Sequence, residues 1–218
     1  SDKMLFIGQM ELKNITHPEE TYLLGKVNKM YITTDGISSL ANNFNERPKS
    51  LPAPVVKLGT INFTGEISGF FDNLVAFGKL SSSIGSIQTD LIFGSNKDKN
   101  IAAYLRGRIA SSNLQLHELF GENNPFGEAR FDINIDTRRP VGGNFSGNIQ
   151  AQVKEFDYKA YKYKDINLSG NFKKSSFDGT IHVNDPNGEL YAQGIFQHQG
   201  QNSLFNFTAR LDHFRPDR

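Results

Sequence analysis

The chain has 218 residues, 24 Lys and Arg against 23 Asp and Glu, a formal net charge of +1, and no cysteine. The lack of thiols excludes a disulfide scaffold, thiolate zinc ligands and a cysteine nucleophile, and the scattered, balanced charge excludes the concentrated basic footprint of a nucleic-acid binder. With 18 Phe and 20 Gly against 8 Pro the composition suits a sheet protein, and no apolar run reaches the roughly 18 residues of a membrane-spanning helix.

In chain order, Ile37, Leu40, Ala41 and Phe44 stand at helical spacing behind Asp35, predicting one short helix over 35–45 with Asp35 as its N-cap. The prolines of 47–56 predict an extended link within a single domain. Apolar–polar alternation predicts a half-buried strand at 61–69, and the same rhythm returns at 101–109, 129–135, 145–153, 177–183 and 205–211. Between these, "SNKDKN" at 95–100 and "TRRPVGGN" at 137–144 read as connections, and "SNLQLHELFG" at 112–121 as one turn of helix ending at Gly121. "DPNG" at 185–188 predicts a tight hairpin, with proline setting the turn and Gly188 taking positive φ. About a dozen short strands follow one another, so an antiparallel all-β fold is expected rather than a parallel βαβ one.

A five-residue phrase recurs four times: "FTGEI" at 63–67, "LRGRI" at 105–109, "FSGNI" at 145–149 and "FDGTI" at 177–181. Its starts lie 42, 40 and 32 residues apart, which predicts a degenerate repeat of stacked units. As strands, these phrases put the apolar residue, the glycine and the isoleucine on one side and the variable pair on the other. Phe63, Ile67, Leu105, Ile109, Phe145, Ile149, Ile181 and Val183 are thereby expected to form one continuous apolar surface.

No catalytic, metal-binding or cofactor-binding constellation emerges. His17, His117, His182, His198 and His213 fall in no ligand spacing, though His182 and His198 could face each other across adjacent strands. Neither a serine elbow nor a phosphate loop occurs. Asp132, Asn134 and Asp136 alternate along one strand, where a solvated polar face is the default reading. Tyr158, Tyr161 and Tyr163 form either a sugar-stacking platform or, more in keeping with strand pairing, a ladder of cross-strand aromatic contacts.

The stretches "GTINFTGEISGFFDNLVAFGKLSSSIGSIQTDL" at 59–91, "LRGRIASSNLQLHELFG" at 105–121 and "FSGNIQAQVKEFDYKAYKYKDINLSGNF" at 145–172 resemble the TamB branch of the AsmA-like superfamily of Gram-negative envelope proteins. The resemblance covers roughly residues 20–200. It implies an elongated, curled antiparallel sheet, an open β-groove with an apolar concave face and one or two short helices, cut from a longer repeat protein. It further implies a non-enzymatic lipid conduit in the periplasm, shielding phospholipid acyl chains between inner and outer membranes, with the eight residues above lining the groove. An inner-membrane anchor, and contact with an outer-membrane barrel protein, would belong to regions outside this sequence. Outer-membrane protein assembly is the family's alternative task. The competing expectation from a different class is a β-sandwich module of a surface protein that binds glycan or another ligand, with no groove at all.

Overall fold

The computed structural model describes residues 3–43, 56–96, 98–121, 124–199 and 202–215. Twelve strands form one antiparallel sheet in which spatial order equals chain order. They are β1 (Met4–Lys13), β2 (Tyr22–Ile32), β3 (Ile61–Phe70), β4 (Asn73–Ser82), β5 (Gly85–Asn96), β6 (Ile101–Gln115), β7 (Phe126–Pro140), β8 (Ser146–Tyr158), β9 (Tyr161–Lys173), β10 (Ser176–Asp185), β11 (Gly188–Gln199) and β12 (Asn202–Asp212). Helix α1 (Thr34–Asn43) follows β2 and helix α2 (Leu116–Phe120) follows β6. The expected fold class is therefore what the chain adopts: an all-β, open antiparallel sheet with short helices. Strands β1 and β12 are its two edges.

A single layer has no closed core. Among the described residues no large side chain is fully buried, and the most enclosed apolar ones are Ile84, Ala129 and Val27. Ile84 lies in the turn between β4 and β5, where its carbonyl accepts from the Gln115 amide at 2.8 Å. Turns 71–72, 141–145 and 174–175 gather at one rim of the sheet, the turn rim. Helices α1 and α2 and the turns at 83–84, 159–160 and 186–187 gather at the other, the helical rim.

Several local expectations need correction. The first turn of α1 is capped by Thr33, whose hydroxyl accepts from the Gly36 amide at 3.1 Å; Asp35 instead sits inside that turn, where its charge favours the helix N-terminus. Phe44 and most of the proline-rich link lie outside the described residues. "TRRPVGGN" is not all connection, because β7 continues through Pro140, pairing Arg138 with Tyr104 and Thr137 with Leu105. The hairpin at 185–188 forms, but Gly188 does not take positive φ. Pro186 and Asn187 close the turn with the Asn187 amide donating to the Asp185 carboxylate at 3.0 Å. Space at Gly188 is tight instead: a Cβ there would stand 3.2 Å from the Cα of Phe214, so a side chain would require that neighbour to yield slightly.

The recurring phrase also differs from a unit translated at constant period. From β3 to β6 it crosses three strands and thereafter two, so the β3 copy runs antiparallel to the copies in β6, β8 and β10. What the copies share is the glycine's surroundings. A Cβ on Gly65, Gly107, Gly147 or Gly179 would fall 2.1, 2.0, 2.0 or 2.2 Å from a carbonyl oxygen of the adjoining strand. At Gly107 the backbone also takes φ 130°, a conformation that side chains rarely tolerate. Glycine in a strand interior permits this close approach and bends the sheet locally.

Candidate functional site

Directly opposed residues in an antiparallel ladder share a face of the sheet. One row runs Met10, Gly25, Ile67, Ala76, Leu91, Gly107, Ile135, Ile149, Gly170, Gly179, Gly194 and Phe207, crossing all twelve strands without a polar side chain. A parallel row opposes Ile109, Ile133, Ala151, Leu168, Ile181 and Ala192. Nearer the turn rim, four phenylalanines face one another in succession: Phe172, Phe177, Phe196 and Phe205. With eleven gaps of about 4.8 Å, this apolar side extends for about 50 Å across the strands.

Of the expected lining residues, the register places Phe63, Ile67, Leu105, Ile109, Ile149, Ile181 and Val183 on this side. Phe145 stands off the ladder. It precedes β8 at the turn rim, 46% exposed, with the Arg139 guanidinium 5.6 Å from its ring centroid. The phenylalanine row and the edge residues Phe207 and Leu211, both more than half exposed, carry much of the apolar area. Phe177 opens the phrase at 177–181 and Phe205, Phe207 and Leu211 lie in the expected strand at 205–211, whereas Phe172 and Phe196 belong to strands that the recurring glycine phrase does not cover.

The opposite side is polar and ion-paired. Arg106 Nε donates to Asp136 at 3.0 Å, and Arg108 grips Asp132 bidentately, its Nε donating at 2.7 Å. These hydrogen bonds hold the Asp132 carboxyl below its ordinary pKa and raise that of Arg108. The alternating acids of β7 are thus occupied by arginines of β6. A hollow of about 840 Å³ spans β4 to β9 on this side, with smaller ones of about 530 and 260 Å³ beside it. None of these depressions belongs to the apolar side. Breadth, rather than depth, recommends that face, because a flexible chain molecule can lie along a surface without an enclosing cavity.

At the helical rim the apolar side ends in aromatic side chains. Phe126 contacts Phe120, Phe156 and Tyr158 at centroid distances of 5.8 to 5.9 Å. Tyr158 opposes Tyr161, whose ring meets that of Tyr163 edge-on at 4.6 Å, so the tyrosines form a cross-strand ladder. A hollow of about 310 Å³ lies beside them, among Tyr163, Val183, Leu190 and Phe214. At its border Asp185 accepts from the Tyr161 hydroxyl, the Asn187 amide and the Lys164 amide, the last two at 3.0 Å. Burial pushes the Asp185 carboxyl up, but these donors outweigh it and leave the pKa lowered; the same contact raises that of Tyr161.

His182 and His198 do not face each other. The first opposes Tyr191 and bonds Glu189 at 2.8 Å, and the second opposes Ser203. Among the described residues no three His, Asp or Glu side chains gather as metal ligands, and no helix is long and apolar enough to cross a membrane. No family model, curated protein or solved structure matches the chain.

Proposed function

We propose that this chain is a non-enzymatic segment of a lipid conduit, its apolar sheet face shielding phospholipid acyl chains on their way through the aqueous space between two membranes. The observation that carries this reading is the row from Met10 to Phe207, twelve strands wide and free of polar side chains, with no second layer over it among the described residues. An apolar surface of that breadth is a liability in water unless something covers it. An acyl chain supplies the missing cover, at about 0.8 kcal/mol for each methylene removed from water. The glycines of the recurring phrase favour a sheet curled about that face. The reading places the chain in the periplasm of a Gram-negative envelope, with partners such as an outer-membrane barrel reached through other regions of a longer protein.

Photo-crosslinking from two adjacent positions tests the proposal. A benzophenone side chain replacing Ile149 on the apolar face should capture phospholipid in cells, and one replacing Gln150 on the polar face should not. Equal capture from both positions, or none from either, would overturn it.

A further inference from the structure

The polar side of the sheet carries a second candidate surface, independent of the acyl-chain reading. Its three hollows adjoin: Arg108 and Asp132 border both smaller ones, and the β8 residues Asn148, Gln150 and Lys154 border the 840, 530 and 260 Å³ hollows in turn. From Ser146 to Lys154 they follow β8 for about 27 Å, at roughly 3.4 Å per residue. Amides occupy the middle. Asn134 opposes Gln150, Asn148 opposes Asn171, and Gln152 opposes Asn167. Cations stand at the two ends, Arg138 and Lys173 at one and Lys79 and Lys154 at the other, and none of these four is ion-paired among the described residues. The carboxylates that line the hollows, Asp132 and Asp136, are paired with Arg108 and Arg106, and Asp178 stands outside their lining on β10, opposite Asn171.

We infer that this furrow binds an extended anionic glycan, its hydroxyls paired with the amides of β7, β8 and β9 and its acidic groups with the cations at the ends. Each amide side chain both donates and accepts, which matches a sugar hydroxyl atom for atom. Single-stranded nucleic acid fits less well: Phe172 and Phe131 border the hollows but belong by register to the apolar side, and among the described lining residues the rings on the furrow's own side are Tyr104 near one end and His182 beside the amides, which form no stacking row. A protein partner would need the buried aromatic or aliphatic anchors that this side lacks along the amide stretch.

Titration calorimetry of the whole chain at physiological salt tests the inference, using hexagalacturonate as the acidic glycan, chitohexaose as a neutral one and an oligothymidylate as a polyanion without sugar acids. Hexagalacturonate should bind saturably and more tightly than either control. R138Q/K173Q should weaken it about tenfold through two lost charge contacts, and Q150A/N171A should weaken it as well while leaving any oligothymidylate binding unchanged. All four residues are exposed, so the strands remain paired in both variants. Absence of saturable binding overturns the inference. So does oligothymidylate binding as tightly with both ligands insensitive to Q150A/N171A, because the furrow would then be a generic polyanion surface.

Discussion

The ring of Phe177 lies over Gly170 on the neighbouring strand. A Cβ on Gly170 would stand 2.7 Å from the tip of that ring, and one on Gly179 would stand 2.8 Å from it. Phe63 covers Gly65 and Gly78 in the same manner, each such Cβ coming to 3.0 Å. An aromatic folded across a bare glycine pair restores the apolar contact that the pair cannot make and covers its backbone. Replacing Phe177 by Ala should cost about 2 kcal/mol in urea denaturation, below the range for a fully buried phenylalanine because this one is half-buried. An unchanged midpoint would show that the ring adds nothing.

Gly107 offers a sharper test of the recurring phrase. Alanine there meets both φ 130° and the Asp90 carbonyl oxygen 2.0 Å from its Cβ. Gly107→Ala should therefore destabilise by about 3 kcal/mol, the upper range for a strained backbone position. Gly142, at φ 70° with open space around it, should tolerate alanine better. Comparable losses for the two would refute the crowding argument.

The apolar face should accept charge that an enclosed core refuses. Ile149 is half-buried, so Ile149→Asp should cost less than about 2 kcal/mol and leave the circular dichroism of the sheet intact, while abolishing co-purification of phospholipid. Ala129→Asp places the same charge at a site only 3% exposed and should unfold the protein. Loss of folding in both variants would mean that the face is packed against protein.

Acid should weaken the sheet through Asp132 and Asp185. Both carboxyls titrate below their ordinary value in the folded state, so the stability they contribute is fully present above the unfolded value near ~3.9 and is lost as pH falls through the folded values. Denaturant midpoints should be flat above about pH 5 and decline below about pH 4. Asp132→Asn should make that decline shallower. A profile identical to the parent's would show that the Arg108 contact is not maintained in solution.

The two edges should make the chain concentration-dependent. Strand β12 is exposed nearly throughout, and its apolar side chains Phe205, Phe207 and Leu211 accompany a backbone edge that pairs with no further strand among the described residues. Lysine is a common guard against edge-to-edge pairing. Phe207→Lys should shift sedimentation toward the monomer at concentrations where the parent associates.

Strand content was readable wherever alternation ran unbroken, as in β3, in β6 from Ala103 to Ile109 and in β8 up to Val153. It was obscured where a bulge shifts the parity. In β2 the apolar side reads Val27 and then Met30, a spacing of three across a register shift. In β8 the shift falls between Val153 and Phe156, and β9 answers it at Asp165, which takes φ 45°, so Tyr163 and Ile166 share a side despite their odd separation. A strict period of two cannot follow such strands. The apolar candidate face was legible through the glycine phrase. The basic, amide-lined furrow was not, because its cations come from strands far apart in sequence and only the register brings them together.

Because spatial order equals chain order, the sheet resists force differently along its two directions. Tension applied between β1 and β12 is borne by one row of ladder hydrogen bonds at a time, so the strands should peel away singly from either edge at low load, as a zipper opens. Tension along the strands must shear a whole ladder at once. A molecule stretched between two anchoring points would therefore hold its shape only when the pull is directed along the strands, and would lengthen in strand-sized steps when the pull crosses them.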